Sequence, residues 1–248
     1  MKKRKKNKKK QTHIYTIAFI AIAILVAVTV IFFLRGDNIG DCGNWEKQGI
    51  DISHHQGDID WIAIAQEGNV KYAYIKATEG ESYHDPLYQR NVMQARAAGI
   101  PIGSYHYFHP NIPVEKQYRN FMSVVNRSTQ DLIPVIDVEE KSKMTNKQIR
   151  DSVQKFVEII SRNWNVVPII YTHQGFYNDV FKGTLNNNNL WIARYGIFKL
   201  KLTPRLHDKH PLTIWQYSCR GRINGIKGDV DLNTLCGDTS LDEIKIKR

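Results

Sequence analysis

The sequence predicts an α/β chain, an irregular (β/α) barrel of eight strands with an incomplete helix ring, preceded by one transmembrane helix. Three observations carry this. Eight short β-rich runs recur between Gly49 and Leu232, several of them separated by helical patterns. Strands alternating with helices argue for a parallel sheet, and eight strands in one domain favour closure over an open sheet. The later runs have short connections, which leaves the helix ring incomplete, and a charge-free run stands ahead of them all.

The chain opens with a basic segment, residues 1–13, in which Lys2, Lys3, Arg4, Lys5, Lys6, Lys8, Lys9 and Lys10 supply eight positive charges. The formal net charge is +11, so the remainder carries only about +3. Such a block would suit a nucleic-acid arm. Its neighbour argues otherwise, because Ile14–Leu34 has no charged residue and is rich in Ile, Val, Ala and Phe. About 20 apolar residues suffice to cross a bilayer as a helix. The basic block then stays cytoplasmic by the positive-inside rule, and residues from Arg35 onward lie outside. We therefore expect a cell-membrane anchor over 14–34, the cytoplasmic membrane as a partner, and no nucleic acid. A cleaved signal peptide is the alternative, but its apolar core is usually only about 7–15 residues and ends at small residues. This run ends Ile-Phe-Phe-Leu-Arg.

Residues 35–45 form a short polar linker, and residues 46–248 form one domain without internal repeats. Cys42, Cys219 and Cys236 all fall on the predicted outer side, where a disulfide persists. Cys219 and Cys236 are the closer pair, which would leave Cys42 unpaired, but spacing does not decide connectivity. No CxxC or Cys/His spacing suggests zinc. We expect no metal and no cofactor.

The strands are expected at Gly49–Ser53, Tyr72–Ala77, Ile102–Phe108, Ile133–Val138, Val167–Tyr171, Leu190–Ala193, Leu212–Tyr217 and Val230–Leu232. Asp85-Pro86 reads as an N-cap with proline at the first helical position. Thr145 to Gln148 fits a capping box. It precedes Ile149, Val153, Phe156, Val157, Ile160 and Trp164, spaced to form one apolar helix face.

Four acids, Asp51, Asp137, Glu139 and Asp231, sit at or near strand ends. In a barrel the C-terminal strand ends form the active-site face. Alternation puts Asp137 and Glu139 on the same side of their strand. Like charges so close raise the pKa of one, which is what a general acid at neutral pH needs. A strand end running into a solvated turn would give the same pair, so its context decides.

That context is six segments in order: Gly49 to Gly57 (GIDISHHQG), Tyr74 to Gly80 (YIKATEG), Tyr105 to Phe108 (YHYF), Pro134 to Glu139 (PVIDVE), Trp215 to Ser218 (WQYS) and Gly228 to Asn233 (GDVDLN). Together they resemble glycoside hydrolase family 25, the muramidases related to the Chalaropsis lysozyme, over about residues 48–235. The resemblance implies an irregular barrel that cleaves the β-1,4 bond between N-acetylmuramic acid and N-acetylglucosamine of peptidoglycan. It implies Glu139 as acid/base and Asp137 as the carboxylate that orients the substrate's 2-acetamido group. Asp51 and Asp231 match the two supporting acids. It also implies retention, through attack by the substrate's own acetamido oxygen.

Aromatic residues at predicted strand ends, Tyr105, Tyr107, Tyr171, Trp191, Trp215 and Tyr217, are candidates to bind sugar rings, with Glu79 as a candidate cleft acid. Tyr107, Trp191 and Trp215 lie nearest strand ends or the resembling segments. His54, His55, His106 and His109 invite a metal reading, but no HExxH is present and neighbouring residues on a strand face opposite ways. Two other classes remain to be weighed: a metal-dependent polysaccharide deacetylase using the histidines with Asp51, and a non-catalytic wall-binding protein on a barrel scaffold.

Overall fold

The computed structural model describes residues 15–29, 42, 48–196 and 203–247. The chain divides into two compact units, Met1–Asp37 and Asn38–Arg248. In the first, residues 15–29 are helical. Ile14 and residues 30–34 of the predicted span lie outside the described residues, as do the basic segment and, apart from Cys42, the linker. Among the described residues, no helix is long and apolar enough to cross a membrane.

The second unit is built on strands β1 (Gln48–Ile52), β2 (Tyr72–Glu79), β3 (Tyr83–His84), β4 (Ile102–Tyr107), β5 (Val135–Asp137), β6 (Ile169–His173), β7 (Leu190–Ala193), β8 (Ile214–Gly221) and β9 (Val230–Leu235). The sheet runs β1-β9-β8-β7-β6-β5-β4-β2-β3, and a β1–β2 pairing closes eight of these strands into a barrel. The closing strand β9 is antiparallel to both β1 and β8. Neighbours from β4 to β8 are parallel. All eight predicted strands are found. The short strand β3, a hairpin partner of β2, is an addition, and it pairs only Thr78–His84 and Glu79–Tyr83.

Helices α1 (Trp61–Glu67), α2 (Tyr88–Ala97), α3 (Val114–Val124) and α4 (Asn146–Trp164) cover the first part of the barrel. Among the described residues after β6, helical structure is limited to a single turn, Gln174–Phe176, running into a π-type turn at Tyr177–Phe181, and a 3-10 turn at Leu241–Ile244. The ring is thus incomplete, as expected. Helix α4 starts at the predicted Thr145 box, and all six residues of its predicted apolar face are buried. Helix α2 departs from expectation. The Asp85 carboxylate accepts from the Leu87 amide at 3.0 Å, but the helix begins only at Tyr88.

The barrel interior is packed by large rings. Tyr72 and Tyr74 on β2 are fully buried, and Tyr74 meets Trp191 with centroids 5.0 Å apart. Two glycines make the space. A Cβ on Gly49 would fall 2.3 Å from the Tyr72 ring, and one on Gly103 would fall 2.4 Å from Tyr74. Filling the lower barrel with rings leaves the upper layer of inward side chains free to be polar.

A disulfide joins Cys42 to Cys236, and Cys219 is free and exposed. The spacing left connectivity open, and the bridge does not join the pair closer in sequence. Cys219 lies on β8 and Cys236 just past the end of β9, at opposite ends of an antiparallel pair. The register sets Leu235 beside Ile214, at the start of β8.

Candidate active site

Inward positions at the C-terminal ends of the parallel strands, with those of β9, line one cleft of about 210 Å³. Its walls include Asp51, Lys76, Tyr105, Tyr107, Asp137, Glu139, Tyr171, Trp191 and Asp231. Strand register explains the grouping, since Tyr107 pairs with Asp137, Asp137 with Tyr171 and Tyr171 with Trp191. Asp51 lies opposite Asp231 across β1 and β9. Residues sharing a register position on adjacent strands present side chains to the same face. The four acids predicted from sequence therefore converge.

Asp137 and Glu139 are in side-chain hydrogen-bonding contact. Burial, then the charge of Glu139, pushes the pKa of Asp137 well above the usual carboxylate range. Burial also raises Glu139, while the bond from Asp137 opposes that rise. The resting proton of the pair therefore sits on Asp137, the deeper group. The expectation was that like charge raises one of the two, without saying which. Oδ1 of Asp137 is buried and has no hydrogen-bond partner among the described residues. A buried unsatisfied carboxyl oxygen costs roughly 1–3 kcal/mol, so it is suited to a polar group arriving with the substrate.

Asp51 is anchored differently. Its carboxylate accepts from Gln216 Nε2 at 3.0 and 3.1 Å and from Asn233 Nδ2 at 2.6 Å. Burial pushes its pKa up to about 6 against those bonds. Burial and then the Asp51 charge push Asp231 up to about 8, so the protonated Asp231 bonds to Asp51. The amides are themselves oriented. Gln216 Oε1 accepts from Tyr171 at 2.9 Å and Tyr195 at 2.6 Å, and Trp191 Nε1 donates to Asn233 Oδ1 at 2.9 Å.

Of the predicted sugar-binding residues, Tyr105, Tyr107, Tyr171 and Trp191 line the cleft. Trp215 and Tyr217 do not. The inward residue of β8 is Gln216, so its neighbours point outward. Trp215 donates to the Arg194 carbonyl at 3.0 Å, and Tyr217 donates to Gln48 Oε1 at 2.7 Å. Glu79 stands at the rim rather than on the wall. A bulge between Lys76 and Thr78 resets the register so that Glu79 lies beside Tyr107, and its carboxylate takes Lys76 Nζ at 2.7 Å.

Three of the four candidate histidines hydrogen-bond protein partners, while His55 stacks on His54 and lines the cleft. His54 Nδ1 is 2.8 Å from Asp85, His106 lies between Thr78 and Gln117, and His109 lies between Glu79 and Glu140. His54 and His55 belong to a 3-10 turn rather than a strand, with rings 4.1 Å apart. Among the described residues, no three His, Cys, Asp or Glu side chains are grouped to hold a metal. Sequence reasoning missed Lys76, Gln216, Asn233 and Glu140. Gln216 and Asn233 lay inside the resembling segments. The segments marked them, but their inward orientation comes from the strand pairing.

A closed eight-stranded barrel with paired carboxyls and aromatic walls at its strand ends defines a barrel hydrolase with a glycosidase-type site. The sequence profile of the glycosyl hydrolases family 25 matches residues 50–226. The chain belongs to that family. It is 36% identical over 193 residues to the Escherichia coli K12 protein YegX, covering 76% of this chain and 69% of that one. It is 36% identical over 187 residues to the autolytic lysozyme of Clostridium acetobutylicum, covering 75% of this chain and 55% of that protein. The bacterial lysozyme of Streptomyces coelicolor superposes with a TM-score of 0.70 at 31% identity, covering 79% of this chain and 94% of that one.

Proposed function

We propose that this protein is an N-acetylmuramidase, hydrolysing the β-1,4 bond between N-acetylmuramic acid and N-acetylglucosamine in bacterial peptidoglycan. The carrying observation is the Asp137–Glu139 pair, two carboxyls in hydrogen-bonding contact that both face the cleft. Membership of family 25 and the likeness to named lysozymes support the same reading.

The steps we propose use the two carboxyls in turn. The substrate's acetamido N–H meets the Asp137 carboxyl, and the proton of the pair passes to Glu139. The acetamido oxygen then attacks the anomeric carbon as the bond to the leaving oxygen breaks, and Glu139 delivers its proton to that oxygen. Water next attacks the same carbon, Glu139 takes a proton from it, and the acetamido group is regenerated with overall retention. Asp51 and Asp231 hold the opposite wall, and half-buried Tyr107 offers its ring to the sugar, backed by buried Tyr171 and Trp191.

We also place this chemistry outside the cytoplasmic membrane, on a chain anchored by the 14–34 run. The uncharged length of that run, the basic block before it and the Cys42–Cys236 bridge support this, since disulfides persist in oxidising compartments. An alkaline phosphatase fusion after Arg35 should be active, and activity only in cytoplasmic reporters would overturn the topology.

The enzymatic test is digestion of purified walls by wild type and Glu139→Gln, read by reducing ends and mass spectrometry. Wild type should release reducing N-acetylmuramic acid ends, and the variant should release none while keeping its fold. Release of acetate without new reducing ends would instead mark a deacetylase.

A further inference from the structure

His109 follows β4 and stands beside the cleft, in contact with two loops at once. Its Nδ1 lies 2.8 Å from Glu140 Oε2 and its Nε2 lies 3.0 Å from Glu79 Oε1. A neutral imidazole carries a single N–H, so only the imidazolium can donate to both carboxylates. The ring is placed in advance. Gln117, fully buried on α3, accepts from the His109 amide and donates to its carbonyl, both at 2.9 Å. The turn at Gly80 leaves room for it, since a Cβ there would fall 2.9 Å from the imidazole.

Glu139 sits between two fixed points. On one side the Val138 amide donates to the Tyr171 carbonyl at 2.9 Å. On the other, Glu140 is held by His109 and, at 3.4 Å, by the Tyr107 hydroxyl. We propose that His109 is a positioning residue for Glu139: as an imidazolium it ties the end of β2 to the segment after β5, through Glu79 and Glu140, and so fixes the aim of the acid between them. The proposal rests on the muramidase reading of Glu139 given above.

The charges around the ring favour its cationic form. Glu79 and Lys76 face it from β2, neutral His106 and Tyr107 from β4, Glu140 from the segment after β5, and uncharged Gln117 from α3. Partial burial works against the cation, but the bonds to Glu140 and Glu79 outweigh it and raise the pKa above the ordinary histidine value. A raised basic group holds its clamp at low pH and releases it as pH climbs through that higher value. Activity should therefore fall on the alkaline side as the clamp opens.

The test combines NMR titration of the His109 ring with kinetics on purified walls for wild type, His109→Gln and Glu140→Gln. The ring should titrate above the ordinary histidine value in wild type and move back toward it in Glu140→Gln. Both variants should lose about tenfold in kcat at pH 6, because a misaimed acid slows chemistry, with KM changed less than about twofold. The alkaline limb that follows His109 in wild type should vanish in His109→Gln. Glu140→Gln, isosteric and at the surface, carries the test if His109→Gln folds poorly. Titration at or below the ordinary value, or wild-type kcat and an unchanged pH profile in either folded variant, would overturn the proposal. The titration needs no substrate, so it decides the clamp separately. Absence of reducing ends from the wild-type protein would instead remove the muramidase reading.

Discussion

Asp51 and Asp231 face each other directly across the antiparallel strands β1 and β9, and one carboxyl hydrogen-bonds the other. The pair is asymmetric. Asp51 is fixed by Gln216 and Asn233, whereas Asp231 is held up by burial and by the charge of Asp51. A second protonated pair, Asp137 and Glu139, lies in the same cleft. The site thus keeps protons that isolated carboxyls would surrender at neutral pH.

This arrangement makes the domain more stable in mild acid than in mild base. A carboxyl whose folded pKa is raised contributes stability below its unfolded value, and that contribution is lost as pH rises through the folded one. For Asp51 and Asp231 the loss runs from about pH 4, through about 6, to about 8. Thermal melts should show a stability decline of several kcal/mol between pH 5 and 8. Asp231→Asn should flatten the decline and raise Tm at pH 8. An equally steep curve in that variant would place its origin elsewhere.

Gln216 is the hinge of the opposite wall, since its oxygen collects two tyrosine hydroxyls while its nitrogen serves Asp51. Gln216→Leu leaves a buried carboxylate and two hydroxyls without this partner, and each lost bond to a charged group is worth about 1.5–3 kcal/mol. We expect kcat/KM on walls to fall about 10- to 100-fold, with the Asp51 pKa rising further. A pH–rate profile of kcat/KM checks both.

How much of this was legible in the sequence differs residue by residue. Helix α4 was readable because cap and apolar stripe are local signals, and the four acids were readable because segment order placed each at a strand end. Trp215 and Tyr217 were misplaced because side-chain face on β8 depends on register, which only pairing with β7 and β9 fixes. The Glu79–His109–Glu140 bridge was hidden for a related reason. It joins residues 30 and 31 positions apart, and a bulge sets where Glu79 points. The disulfide stayed undecided because a barrel brings its two ends together, so the bonded cysteines are separated by 194 positions.

That separation makes the bridge a strong constraint on the unfolded chain. Cross-linking distant residues removes loop-closure entropy, typically worth about 2–4 kcal/mol. Both cysteines are buried, so the native state gains packing as well. Cys42→Ser should lower Tm by roughly 5–12 °C in calorimetry, and reductant should do the same to wild type. Cys219→Ser, at an exposed free thiol, should leave Tm unchanged.

The division of labour between Asp137 and Glu139 can be separated by the leaving group. A general acid matters in proportion to the basicity of the oxygen it protonates. With a nitrophenolate leaving group on a short amino-sugar oligomer, bond cleavage needs little protonation. Glu139→Gln should then recover at least about tenfold of its lost rate relative to its activity on natural wall. Asp137→Asn should not recover, because its defect lies in holding the acetamido group, which the nitrophenyl substrate needs equally. Rescue of Asp137→Asn with no rescue of Glu139→Gln would reverse the two roles and make the deeper carboxyl, where the resting proton lies, the donor itself.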